Sequence, residues 1–184
     1  MGRYVKSSAL HEATLKVLEE RGVTLEDIAK ITLFLQASYI PNLTLDVCLH
    51  NVEQVLEKRE VQNAILTGVE LDILAERKML SAPLQEVIES DESLYGVDEI
   101  LALSILNIYG SIGYTNYGYV DKLKYGILEQ LNDASTGKVH TFMDDLAGAV
   151  AAAAASRLAH HHRTKEETQE SEGDDTPPHE SIPF

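Results

Sequence analysis

Asp98-Glu99 and Asp144-Asp145 each open an apolar stretch, and Asp121 and Lys124 lie three residues apart between the two pairs. Five carboxylates and one lysine are groups that can hold a hard divalent cation and a phosphate. All-oxygen donors suit Mg²⁺ or Mn²⁺, which take few carboxylates and keep positions for water and phosphate oxygens. Such a cation neutralises clustered acids and activates water for attack on phosphorus. Asp98, Glu99, Asp144 and Asp145 are therefore candidate metal ligands, with Asp121 joining them as an acid–base group. Lys124 is the candidate phosphate holder, acting as a point charge.

The elements that must position these residues read as helices. Asp98-Glu99 leads into Ile100-Leu101-Ala102-Leu103, and Asp144-Asp145 leads into Leu146, Ala147, Gly148 and the run Ala151 to Ala155. A helix without a polar stripe belongs inside a bundle, where an unpaired charge is costly. Helix capping accounts for the acids equally well, because Thr141-x-x-Asp144 has capping-box spacing and first-turn acids favour the helix dipole. A cap needs one acid, however, and adjacent acids point about 100° apart.

Apolar period is helical nearly throughout. Helices are expected from Ser8 to Arg21, ended by Gly22, and from the capping-box sequence Thr24–Asp27 to about Ser38. Others follow through Leu45–Leu56, from Val61 to Met79, and in a short piece opened by Pro83. The Asp98 helix should end near Tyr109. Gly110 to Gly118, rich in glycine and tyrosine, reads as a connection, with Tyr114, Tyr117, Tyr119 and Tyr125 either approaching a ligand or filling core. A helix from Asp121 to Leu131, a polar turn and a last helix from Thr141 past Arg157 complete an all-α domain of about seven helices. It occupies residues 1–162. The stretch 163–184, with seven acidic and two basic residues, reads as a disordered tail.

Composition narrows the function classes. At 184 residues the chain can bury a substantial core, filled by aliphatic side chains because tryptophan is absent. A formal net charge of −15 argues against nucleic acid and against electrostatic docking on anionic lipid. The single cysteine, Cys48, excludes an internal disulfide and suits a reducing cytoplasm. No segment has the length and apolarity of a membrane span, so membrane contact would be peripheral. The alanine run suggests close helix contact, including contact across a homo-oligomer. His140 reads as a helix-flanking histidine that could reach phosphate, and His160-His161-His162 does not share one helix face.

Three motifs resemble the phosphatidylglycerophosphatase A family, specifically its Gram-positive, low-temperature-requirement C-like branch. They are Tyr95-Gly96-Val97-Asp98-Glu99, the run Tyr117 to Tyr125 containing Asp121 and Lys124, and Asp144-Asp145 before a small-residue helix. Ile65 to Val69 resembles a further shared helix, and the likeness spans residues 64–158. The resemblance implies a Mg²⁺-dependent phosphatase acting on phosphatidylglycerophosphate, a phosphorylated lipid headgroup, in phospholipid synthesis. It implies that Asp98, Glu99, Asp121, Asp144 and Asp145 bind metal or handle protons and that Lys124 holds phosphate. Two positions depart from the pattern: the family arginine falls at Gly118 and the family proline at Tyr125. His140, Lys122, Lys138 and Arg157 are the cations that could replace that arginine. The expected function is therefore a metal-dependent phosphomonoester hydrolase, on the lipid or on a small phosphate monoester. The competing expectation is a helical interaction or metal-binding protein that kept the fold and lost turnover with the arginine.

Overall fold

The computed structural model describes residues 5–173, with side chains to residue 164 apart from Ala134. Among the described residues there are nine α-helices and no strand. They are α1 (Ser7–Glu20), α2 (Leu25–Gln36), α3 (Leu45–Leu56), α4 (Arg59–Glu76), α5 (Leu84–Glu89), α6 (Val97–Leu106), α7 (Ser111–Leu123), α8 (Ile127–Leu131) and α9 (Met143–Gly173). The expected tail falls largely on residues whose side chains or structure lie outside this description.

Helix α9 is the axis of the domain. It packs against α2, α3, α4, α6, α7 and α8. Every residue from Thr141 to Ser156 is buried, as a stretch without a polar stripe requires. Ala149 and Ala151 to Ala155 have no exposed surface at all, so small side chains serve close approach of neighbouring helices within the chain. That corrects the expectation of an intermolecular contact through this run, which has no exposed face to offer a second copy.

Local signals set several boundaries. The Thr24 hydroxyl accepts from the Asp27 N–H and the Asp27 carboxylate accepts from the Thr24 N–H, both at 3.1 Å, closing the capping box of α2. Gly22, at φ +82°, takes the left-handed turn after α1. One assignment changes. The Gly110–Gly118 segment lies almost wholly within α7 and is no loop, because Gly113, Tyr117 and Val120 form a buried stripe at helical spacing that outweighs two glycines of low helix propensity. Consequently no helix runs from Asp121 to Leu131. Lys124, in left-handed conformation at φ +47°, ends α7, and α8 starts afresh at Ile127.

Two buried polar side chains lock the helices around α9. Asp72, on the inward stripe of α4, accepts from the N–H groups of Phe142 and Met143 at 3.1 and 3.0 Å. It therefore caps α9 from another helix, while Thr141 donates to the Ile88 carbonyl instead. Arg21, at the end of α1, pairs with Glu76 at 2.7 Å and donates to the Val139 carbonyl at 2.5 Å. It also lies 3.1 Å from His140 Nδ1, fixing the segment that leads into α9.

Candidate active site

The N-termini of α6 and α9 meet the C-terminus of α7 around one cleft of about 230 Å³. Asp98 and Glu99 occupy the first turn of α6, Asp144 and Asp145 the first turn of α9, and Asp121 the last turn of α7. All five acids line the cleft together with Lys124. The six residues singled out from the sequence, 47 positions apart at the extremes, are thus brought to one place. The geometry follows from dipoles as well as packing, since acids gather at two helix N-termini and the lysine at a helix C-terminus.

Lys124 is the electrostatic centre. Its Nζ donates to Asp121 Oδ1 at 2.6 Å and to Asp144 Oδ2 at 2.8 Å. Burial works against its charge, but the two carboxylates more than offset this and hold its pKa above the ordinary lysine value. Desolvation raises the pKa of Asp144, opposed by Lys124. Asp145 lacks such a partner. Loss of solvent, then the neighbouring charge of Asp144, pushes it up to about 8. Beside it lies the buried Tyr117 hydroxyl, whose pKa is driven upward by burial, then by the charge of Asp145.

Among the described residues, no three His, Cys, Asp or Glu side chains already stand together as a chelating cage. Magnesium does not require one, because it commonly takes one or two carboxylates and completes its shell with water and phosphate oxygens. Two features fit a cation. Asp98 Oδ1 is buried with no hydrogen-bond partner, and Asp145 carries a carboxyl that solvent no longer stabilises.

Asp91 also lines the cleft, in left-handed backbone at φ +50° just beyond α5. Desolvation and the charge of Asp98 raise its pKa. Nothing in the sequence marks this turn residue. Asp72 did carry a signal: it continues the stripe Ile65, Gly68, Val69 at helical spacing, where a carboxylate has no reason to be unless it has a buried partner.

None of the four cations considered as replacements for the family arginine lines the cleft. His140 and Lys138 border a neighbouring hollow of about 80 Å³ that shares Asp144 and Asp91. Burial, then the Arg21 charge, lowers the pKa of His140 to about 4. Lys122 is exposed on α7, and Arg157 lies thirteen residues along α9 from Asp144. Gly118 itself is exposed, with no atom within 4 Å of where a Cβ would stand.

Residues 15–160 match the model of the family described as phosphatidylglycerophosphatase A. The chain belongs to the phosphatidylglycerophosphatase A family. The match begins at residue 15, so the end of α1 and all of α2 and α3 are family structure, and the likeness is wider than the span 64–158 read from the sequence. Within the family, the chain is 66% identical over 134 residues to the uncharacterized protein YutG of Bacillus subtilis, covering 73% of this chain and 81% of YutG. The crystal structure of low temperature requirement C protein from Listeria monocytogenes superimposes with a TM-score of 0.84 at 61% identity, covering 86% of this chain and 99% of that one. Protein ypjQ from Bacillus subtilis gives a TM-score of 0.84 at 53% identity, over 88% and 99% of the two chains. This phosphatidylglycerophosphatase A family member therefore sits in the same low-temperature-requirement C-like branch. Among its described residues, no helix is long and apolar enough to cross a membrane.

Proposed function

We propose that the chain is a divalent-metal-dependent phosphatase that removes the terminal phosphate of phosphatidylglycerophosphate. The observation that carries this reading is the convergence of Asp98, Glu99, Asp121, Asp144, Asp145 and Lys124 on a single cleft. Family membership supports the choice of substrate class.

Asp98, Glu99, Asp144 and Asp145 would hold Mg²⁺ or Mn²⁺, which when bound supplies charge neutralisation and a water of lowered pKa. The remaining chemistry belongs to the chain. Lys124 is held between Asp121 and Asp144, so its ammonium is aimed at the cleft and charged across the physiological range. It would take a phosphate oxygen in exchange for one carboxylate. Asp121, the acid of the set outside those four ligands, would accept or return the proton as the general acid–base group.

Access to a lipid headgroup fits the surface beside the cleft. Leu94 is 90% exposed, and Val97 and Ile100 are also exposed on the segment that carries Asp98 and Glu99. These side chains let an acidic protein meet a lipid surface through apolar contact rather than a basic patch.

The test is phosphate release from phosphatidylglycerophosphate in mixed micelles, with Mg²⁺ and with EDTA. Release that requires the metal is expected. Equal release in EDTA, or none with Mg²⁺ from a folded chain, would contradict the reading.

A further inference from the structure

A second cavity, of about 350 Å³, lies where α3 meets α9. Val47, His50 and Asn51 face it from α3 at positions i, i+3 and i+4, and Arg157, Leu158 and His161 face it from α9 at i, i+1 and i+4. Its volume falls within the range of small-molecule sites. Thirteen residues of helix separate Arg157 from Asp144, roughly 20 Å at 1.5 Å per residue, so the cavity is distinct from the carboxylate cleft.

Its chemistry runs against that of the rest of the molecule. In a chain of net charge −15, an arginine and histidines line this cavity, and among the described residues no carboxylate does. Asn51 is buried, and its amide nitrogen donates to the Val47 carbonyl at 2.8 Å, which fixes the side chain. The Asn51 amide oxygen accepts from Arg157 Nη1, so the guanidinium is positioned by a neutral partner. Among the described residues no carboxylate forms an ion pair with it. A guanidinium held this way keeps its charge and most of its donors for an anion. The remaining wall is aliphatic, made by Ile40, Leu43, Val47 and Leu158.

We infer that this cavity binds an anionic amphiphile, an aliphatic chain ending in a carboxylate or a phosphate. The head group pairs with Arg157 and the chain lies along the aliphatic wall. Free fatty acids and phosphorylated lipid fragments share this chemistry. The inference does not depend on the phosphatase reading, because it uses none of the cleft residues.

Calorimetric titration of the full chain in EDTA, with dodecanoate and dodecyl phosphate below their micelle concentrations, tests it. One saturable site per chain is expected for at least one of the two, and which one binds separates the fatty-acid source from the phosphorylated one. Dodecyltrimethylammonium and inorganic phosphate should each bind at least about tenfold more weakly, since each lacks one half of the recognition. Arg157→Gln should weaken binding about tenfold or more. Val47→Asp, on the exposed rim of α3, should abolish it without lowering the thermal midpoint. Asp144→Asn should leave it unchanged. Absence of saturable binding, equal affinity for the cationic amphiphile, or wild-type binding by both Arg157→Gln and Val47→Asp would overturn the inference.

Discussion

Among single residues, Lys124 and Asp145 carry the sharpest consequences. Lys124 pays for its position with a left-handed backbone, a conformation costing on the order of 1 kcal/mol for a side chain other than glycine. Its ion pairs with Asp121 and Asp144 hold it there. Asp145 binds a proton in the folded chain up to about pH 8, whereas an unfolded aspartate releases it near 4. Asp72, buried and desolvated, behaves the same way, with a pKa pushed up to about 8. Between those limits the folded state holds more protons than the unfolded state. Their contribution to stability is therefore complete below the ordinary carboxylate range and is lost as pH rises to about 8. In EDTA the urea midpoint should fall from pH 5 to pH 8.5, and Asp145→Asn should flatten that slope. A midpoint that rises over the same interval would contradict the assignment. These roles were only partly legible in the sequence. Residue type and adjacency pointed to both acid pairs, to Asp121 and to Lys124. Asp91 left no trace, because its place depends on a turn between helices that no local pattern encodes.

Among the helices, the crossing of α4 with α9 is the most exacting contact. A Cβ at Gly68 would stand 2.7 Å from Leu146 Cδ1 and 2.9 Å from Phe142 Cβ. Gly68→Ala should cost about 1–3 kcal/mol through overpacking, read from the urea midpoint. At Gly148 the nearest atoms would lie 3.5 Å or more away, so Gly148→Ala should be neutral or slightly stabilising. Equal effects at the two glycines would refute this packing. Asp72→Ala removes the cap of α9 and should cost about 2 kcal/mol by the same measurement. The helical class, the capping box at Thr24 and the burial of α9 could all be read from periodicity and end signals. Helix α7 could not. Its glycines and tyrosines look like loop composition, and only the packing of Gly113, Tyr117 and Val120 against the bundle decides otherwise. The cap at Asp72 was hidden for a related reason, since capping rules look for a partner within four residues and this one is seventy away.

Across the whole molecule, a helix buried on every side as far as Ser156 carries a carboxylate pair into a cleft at one end and, just past its buried stretch, an arginine into a separate cavity. The exposed Leu94, Val97 and Ile100 beside the cleft suit an enzyme whose substrate stays in a lipid surface. Leu94→Asp with Ile100→Asp should slow phosphate release from mixed micelles severalfold while leaving release from a water-soluble phosphate monoester unchanged. Equal loss on both substrates would assign these residues a structural role instead. The most direct test of the central claim, that the carboxylate cleft is a phosphatase site, compares the wild type with Asp144→Asn and Lys124→Ala. The measurement is Mg²⁺-dependent phosphate release from phosphatidylglycerophosphate, with folding checked by circular dichroism. Both substitutions should reduce release about a hundredfold or more, since one removes a proposed metal ligand and the other the charge proposed to hold the phosphate. Wild-type turnover by either folded variant would contradict the account.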